Sequence, residues 1–220
     1  YNNLAIKDIS FSTPVKIKGS YVSLATLNDE EIYIQTPKLT THGIQKTDTR
    51  ASIELFFERN QKKFYSFMSD IDENNINVIF KNSNQWFNKE LNADIIEDLY
   101  NTPLKHKLPP KLKFKVSLAR GEIDCPIYNS NNNTINYNNI AQNSKAIVLL
   151  KFIGLKFLKE QVICEWQPIQ LKIFGEINSE YKDSSYLIND SYISDENEQS
   201  EYSDNDASDD ESDNENLDNE

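Results

Sequence analysis

The fold is read first from residues 111–118, KLKFKVSL. Leu112, Phe114, Val116 and Leu118 alternate there with Lys111, Lys113 and Lys115. A period of two sets the apolar side chains on one face of an extended chain and the lysines on the other. The stretch is therefore predicted as a strand with one face in a core and one in solvent, restarted after Pro109-Pro110.

On the N-terminal side, Val15–Lys18, Tyr21–Leu27, Glu31–Thr36 and Ser52–Phe57 are predicted as strands. Gly19-Ser20 and Asn28-Asp29 supply turns. Within Glu31–Thr36, Ile32 and Ile34 share one face and Tyr33 and Gln35 the other. Pro37 is predicted to end that strand, with Thr40–Gly43 a loop. The period then changes. Phe64, Phe67, Met68, Ile71, Val78 and Ile79 follow helical spacing, so one amphipathic helix is predicted over Gln61–Phe87. A second, Ala93–Tyr100, ends before Thr102-Pro103.

On the C-terminal side, Glu122–Tyr128 is predicted as a strand and Asn129–Asn143 as a polar loop. Lys145–Ile153, Gly154–Cys164 and Glu165–Phe174 are predicted as three more strands, with Lys159-Glu160 a hairpin turn. The predicted fold class is mainly β with inserted helices (α+β). It is a small β-barrel occupying 1–178, with a helical insertion around 60–100.

Residues 179–220 differ in kind. They hold sixteen Asp/Glu against Lys182 alone, a formal charge of -15. The whole chain is at -12, so residues 1–178 carry +3. With few large apolar side chains, this segment cannot bury enough surface to offset its ordering entropy, and it is predicted to be a disordered acidic tail. A mildly basic body tethered to a polyanion suggests a body that binds polyanions and a tail that mimics one.

The residues give no support to catalysis. There is no GxGxxG, Gly-rich phosphate loop, HExxH or GxSxG. Acid pairs such as Asp70 with Asp72 and Glu97 with Asp98 fall on polar helix faces. Cys125 and Cys164 lack CxxC spacing, and His42 and His106 are the only histidines. No metal site or cofactor is expected. Two cysteines suit a reducing compartment, with a single disulfide left open. No run reaches the roughly 18 apolar residues of a membrane span. The chain begins at Tyr1 without a signal-peptide pattern, so secretion is not expected and the natural start is expected upstream.

The basic residues say more. From Pro103 to Arg120 there are six Lys/Arg and no acid. Lys111, Lys113 and Lys115 form a ridge with one charge at every second residue, suited to tracking phosphates. The same pattern also suits an edge strand protected against aggregation, and both readings stay open. A second cluster, Lys145, Lys151, Lys156 and Lys159, is interleaved with Phe152 and Phe157 and followed by Trp166. Lysines following a backbone while rings stack on bases is how single-stranded nucleic acid is held. Barrels also need aromatic cores, so one or two of Tyr33, Phe152, Phe157 and Trp166 are expected to be exposed. In the tail, Ser203, Ser208 and Ser212 each precede an acid by three residues, a pattern suited to acidophilic kinases.

Ile32–Leu39 (IYIQTPKL) followed by His42–Ile44 (HGI) resembles a motif of the single-stranded DNA-binding proteins of nucleocytoplasmic large DNA viruses. Ala146–Ile173, with Trp166 and Gln170 in a Trp-x-x-x-Gln step, resembles that family's C-terminal strands. The family is similar to the replication single-stranded DNA-binding proteins of podoviral phages. The resemblance implies an OB-fold barrel and an acidic tail that contacts replication proteins. Phage members end in an aromatic residue where this chain ends Leu217-Asp218-Asn219-Glu220, leaving Tyr202 or Leu217 as substitutes. His42 stands where an aromatic is expected before the motif glycine.

The expected function is sequence-independent binding of single-stranded DNA in viral replication, recombination or repair. Lys111, Lys113, Lys115, Arg120, Lys151, Lys156 and Lys159 would neutralise phosphates, and Tyr33, Phe152, Phe157 and Trp166 are the stacking candidates. Asp204, Asp206, Asp209, Asp210, Glu211, Asp213, Glu215 and Leu217 would compete with DNA and dock a polymerase or helicase. No membrane partner is expected, and a homodimer is one option. The expected location is a cytoplasmic virus factory or the nucleus. The alternative is an acidic-tailed chaperone or scaffold that binds basic proteins and ignores DNA.

Overall fold

The computed structural model describes residues 1–175. A 3-10 turn at Ile6–Asp8 leads into β1 (Ile9–Phe11), β2 (Val15–Ile17), β3 (Ser20–Leu27), β4 (Glu30–Gln35), β5 (Leu39–Lys46) and β6 (Ala51–Phe56). The helices α1 (Lys62–Phe87) and α2 (Ala93–Leu99) follow, then β7 (Tyr100–Asn101), β8 (Leu104–Lys105) and β9 (Lys111–Val116). β10 (Leu118–Ala119), β11 (Glu122–Ile123) and β12 (Ile127–Tyr128) are short. β13 (Ser144–Phe157) and β14 (Val162–Phe174) complete the set. The fold is mainly antiparallel β with one long helix.

The strand order explains the barrel. β9 pairs with β6, β6 with β5, β5 and β4 with β13, and β13 with β14. The sheet curls until β14 lies against β9, giving the circuit of a five-stranded OB-type barrel that is not fully hydrogen-bonded. β4 and β5 act as one bent strand against β13. Their break at Thr36–Lys38 is bridged, because Thr36 N–H donates to Val148 O at 3.0 Å and Val148 N–H donates to Thr36 Oγ1 at 3.0 Å.

Three local expectations change. Thr40–Gly43 is not a loop but part of β5. A bulge between Thr41 and Ile44 absorbs the extra residue. Gly43 supplies its positive φ of 91°, and its N–H donates to Thr41 Oγ1 at 3.1 Å. Lys145–Phe174 forms two long strands rather than three, because Gly154 sits inside β13. A Cβ there would lie 2.1 Å from Ser23 O, so this glycine marks a close crossing of β3 and not a strand end. Glu122–Tyr128 splits into β11 and β12 at Asp124–Pro126. β12 joins the main sheet by pairing in parallel with β14, while β11 pairs only with β10.

A 3-10 turn at Arg59–Gln61, with a reciprocal cap between Glu58 and Gln61, leads into α1, which ends at Asn88 in the left-handed conformation. Its N-terminal half inserts Phe64, Met68 and Ile71 into the barrel core beside Leu112, Phe114 and Phe152. Its C-terminal half, with α2, covers the far end of the β13–β14 hairpin through Ile79, Ile96, Leu155, Phe157 and Val162. No helix among the described residues is long and apolar enough to cross a membrane.

Candidate nucleic-acid interface

The alternation in β9 does what its period requires. Leu112, Phe114 and Val116 are buried while Lys113 and Lys115 are exposed. Register sets Lys111 opposite Phe56, Lys113 opposite Glu54 and Lys115 opposite Ser52. Glu54 takes two lysines, Lys111 at 2.8 Å and Lys113 at 3.1 Å. The Lys111 hydrogen bond holds the Glu54 carboxyl below the usual carboxylate range against the opposing effect of burial, with Lys113 adding to it. Lys115 makes no salt bridge among the described residues. His42, exposed on β5, packs its ring on Phe56 with centroids 4.7 Å apart.

The second basic cluster divides. Lys151 lies on β13 opposite Tyr33, 5.7 Å from the ring centroid, and hydrogen-bonds Glu31 at 2.5 Å. That hydrogen bond, with the charge beside it, raises the Lys151 pKa. Lys156 pairs with Glu165 at 3.6 Å. Lys145 pairs with Glu58. Lys159 occupies the exposed turn between β13 and β14, and Arg120, at a positive φ of 53°, the tip of the β10–β11 hairpin. Neither makes a salt bridge among the described residues.

Among the four ring candidates, Tyr33 is 48% exposed and the others are not available to stack on bases. Phe152 is 1% exposed and stacks on Trp166, itself 4% exposed, with centroids 4.4 Å apart. Phe157 is buried against Trp86 and Phe87 of α1. Phe152 and Trp166 fill the barrel from the inward face of the β13–β14 hairpin, and Phe157 fills the second cluster under α1 and α2.

Folding brings Lys156 of the second cluster to the β9 lysines at one groove, while Lys145, Lys151 and Lys159 lie outside it. Between β9 and β14 lies a cavity of about 300 Å³, walled by Lys113 and Lys115 on one side and Lys156 on the other. Lys105, on β8, also reaches it, and burial lowers its pKa. The outer face continues past the groove. Gln167 Nε2 donates to Ser117 Oγ at 3.4 Å, and Gln167 sits opposite Lys151, which faces Tyr33. The lysines of β9 and β13 therefore share one outer face, with Glu165 of β14 and Glu31 of β4 set among them.

The groove has a rigid back. Asp72 on α1 accepts from Tyr100 Oη at 2.8 Å and from Thr102 Oγ1 at 2.5 Å. Asn75 Nδ2 donates to Tyr100 Oη and to Cys164 Sγ, and Trp166 Nε1 donates to the same sulfur at 3.2 Å. Burial is the main reason the Asp72 carboxyl is raised. Cys125 and Cys164 are free thiols; burial pushes Cys125 up to about 12 and raises Cys164 as well, so neither is poised as a nucleophile.

A family model matches residues 43–190. The chain belongs to a family of unknown function (DUF5871). The match takes in the second half of β5, everything from β6 to β14, and both helices. No curated protein matches the sequence. Among solved structures, gp2.5, a single-stranded DNA-binding protein encoded by bacteriophage T7, overlaps with a TM-score of 0.44 at 11% identity, covering 72% of this chain and 100% of that one. The single-stranded DNA-binding protein from bacteriophage Enc34 in complex with ssDNA overlaps with a TM-score of 0.43 at 11% identity, covering 78% and 97%.

Lys105 and Ser52 line the groove and Gln167 lies on the face beside it, yet none is in the set expected from sequence. Lys105 had a signal, since it lies in the acid-free run from Pro103 to Arg120. Ser52 and Gln167 had none, because their place depends on β14 closing against β9. The eight tail positions, Asp204 to Leu217, lie outside the described residues.

Proposed function

We propose that this DUF5871 chain is a non-enzymatic protein that binds single-stranded DNA along the outer face of its barrel. The observation that carries the reading is the convergence of Lys113, Lys115 and Lys156, from distant segments, on one groove. Phosphates replace condensed counterions with such lysines, so binding strengthens as salt falls. Tyr33, exposed beside Lys151, offers a stacking surface further along the same face.

Action in viral replication, recombination or repair, in a virus factory or the nucleus, rests on the sequence resemblance. The role of the tail rests on its charge. A segment of -15 competes with DNA for the groove and offers an acidic docking site to a polymerase or helicase.

The test is fluorescence anisotropy with labelled oligo(dT), of about 16 nucleotides to span one barrel's footprint, over a salt series. The full chain is compared with a chain ending at Asn178. Steeply salt-dependent binding that tightens on tail removal is expected. Equal binding by both would leave the DNA site and reduce the tail to docking. No binding by either would overturn the reading and favour a scaffold for basic proteins.

A further inference from the structure

We infer that the seam between β9 and β14 is a base-insertion site: one nucleotide of the bound strand turns its base into the cavity while Lys113, Lys115 and Lys156 hold the flanking phosphates. This rests on the proposed DNA binding and adds where a base is held.

Three observations converge. The first is an interrupted ladder. β9 and β14 share no strand pairing among the described residues: the β7–β8 segment bridges them at one end, where β7 pairs with β14 and Lys113 N–H donates to Pro103 O at 2.9 Å, and Gln167 reaches Ser117 at the other. At that point the barrel wall holds a cavity in place of a hydrogen-bonded strand pair. The second is the wall chemistry. The cavity combines Lys105, Lys113, Lys115 and Lys156, the last paired with Glu165 that also lines it, with Phe114, Ile163 and Trp166, so the lysine surplus suits phosphate and the apolar part an aromatic ring. Its volume of about 300 Å³ stands at the lower end of the ~300–1,000 Å³ that small-molecule sites occupy. The third is stiffness. The network from Asp72 through Tyr100 and Thr102 fixes β7 and the approach to β8, so that side of the cavity does not have to be ordered on binding.

The inference also assigns a role to burial. Phe152, Phe157 and Trp166 cannot stack on bases from the outer surface, but a base entering the seam meets Trp166 from within the wall. Trp166 would then report the base, whereas the lysines report only the backbone.

The test uses the full chain carrying Trp86→Phe, which leaves Trp166 as the single tryptophan. It is titrated with oligo(dT) and with an equally long abasic sugar-phosphate oligomer, reading Trp166 emission and affinity together. The expected result is that both oligomers bind with salt dependence, but only oligo(dT) changes the emission. Ser52→Ile, a β-branched residue at the mouth on an outward strand position, should lower oligo(dT) affinity several-fold more than it lowers that of the abasic oligomer. Oligo(dT) binding with unchanged Trp166 emission, or equal loss for both oligomers in Ser52→Ile, would overturn base insertion and leave DNA binding intact. Failure of both oligomers to bind the Trp86→Phe chain and the unmodified chain alike would overturn both.

Discussion

β9 and β13 look alike in sequence, each setting lysines among apolar residues, yet they are electrostatically different. Lys145, Lys151 and Lys156 on β13 each face a carboxylate of their own: Glu58, Glu31 and Glu165. On β9, Lys111 and Lys113 share Glu54, and Lys115 has no salt bridge among the described residues. The uncompensated charge therefore sits on β9. The apolar partners differ too. In β9 they are spaced strictly by two, whereas β13 carries a bulge beside Phe152 and a glycine at the β3 crossing. The difference teaches that a lysine count does not locate a phosphate track; the unmatched lysines do.

The sharpest way to break the comparison is through the core. Phe152→Ala should destabilise the fold by about 3–5 kcal/mol, the usual cost of deleting a buried phenyl ring, measured as a shift in the urea midpoint. If the ring instead stacked on DNA, stability would hold and oligo(dT) affinity would fall, contradicting its placement against Trp166.

The next largest effect tests where the surplus charge lies. Lys113→Glu with Lys115→Glu should weaken oligo(dT) binding by at least roughly 25-fold at about 0.1 M salt, from ~0.7 released counterions per lysine on a single strand. The slope of log affinity against log salt should become shallower by about 1.4 on the same basis. Both come from one anisotropy series. An unchanged slope would remove β9 from the interface.

Glu54→Gln sharpens the comparison in the opposite direction. Releasing Lys111 and Lys113 from their shared carboxylate should tighten binding by roughly two- to fivefold, in line with the modest strength of partly exposed ion pairs. Weaker binding would mean that Glu54 orients the lysines rather than occupying them. The smallest effect is expected for Lys151→Ala, within about twofold, because Lys151 must leave Glu31 to meet a phosphate. A loss as large as that of the β9 pair would place the main track on β13.

The sequence was legible wherever a local period reports a local face. The β9 alternation, the helical spacing of Phe64 to Ile71 and the turn between β13 and β14 are short-range facts, and each has its counterpart in the structure. Gly43 and Gly154 misled for one reason. Both read as breaks, yet one sits at a bulge and the other beneath a crossing strand, where the need for glycine comes from a partner distant in sequence. Pro37 does end β4 as expected, and Thr36 bridges the break through Val148.

The candidate site divides along the same line. That Lys111, Lys113 and Lys115 stand together on a solvent face is fixed by their spacing, since a strand must turn alternate side chains the same way. That Phe152, Phe157 and Trp166 are core, and that Lys156 and Gln167 join the β9 lysines across an open seam, follows only from closure of the barrel. Closure decides it because residues far apart in the chain become neighbours only when the sheet curls far enough to bring β14 against β9. Which carboxylate each lysine finds is settled in the same step.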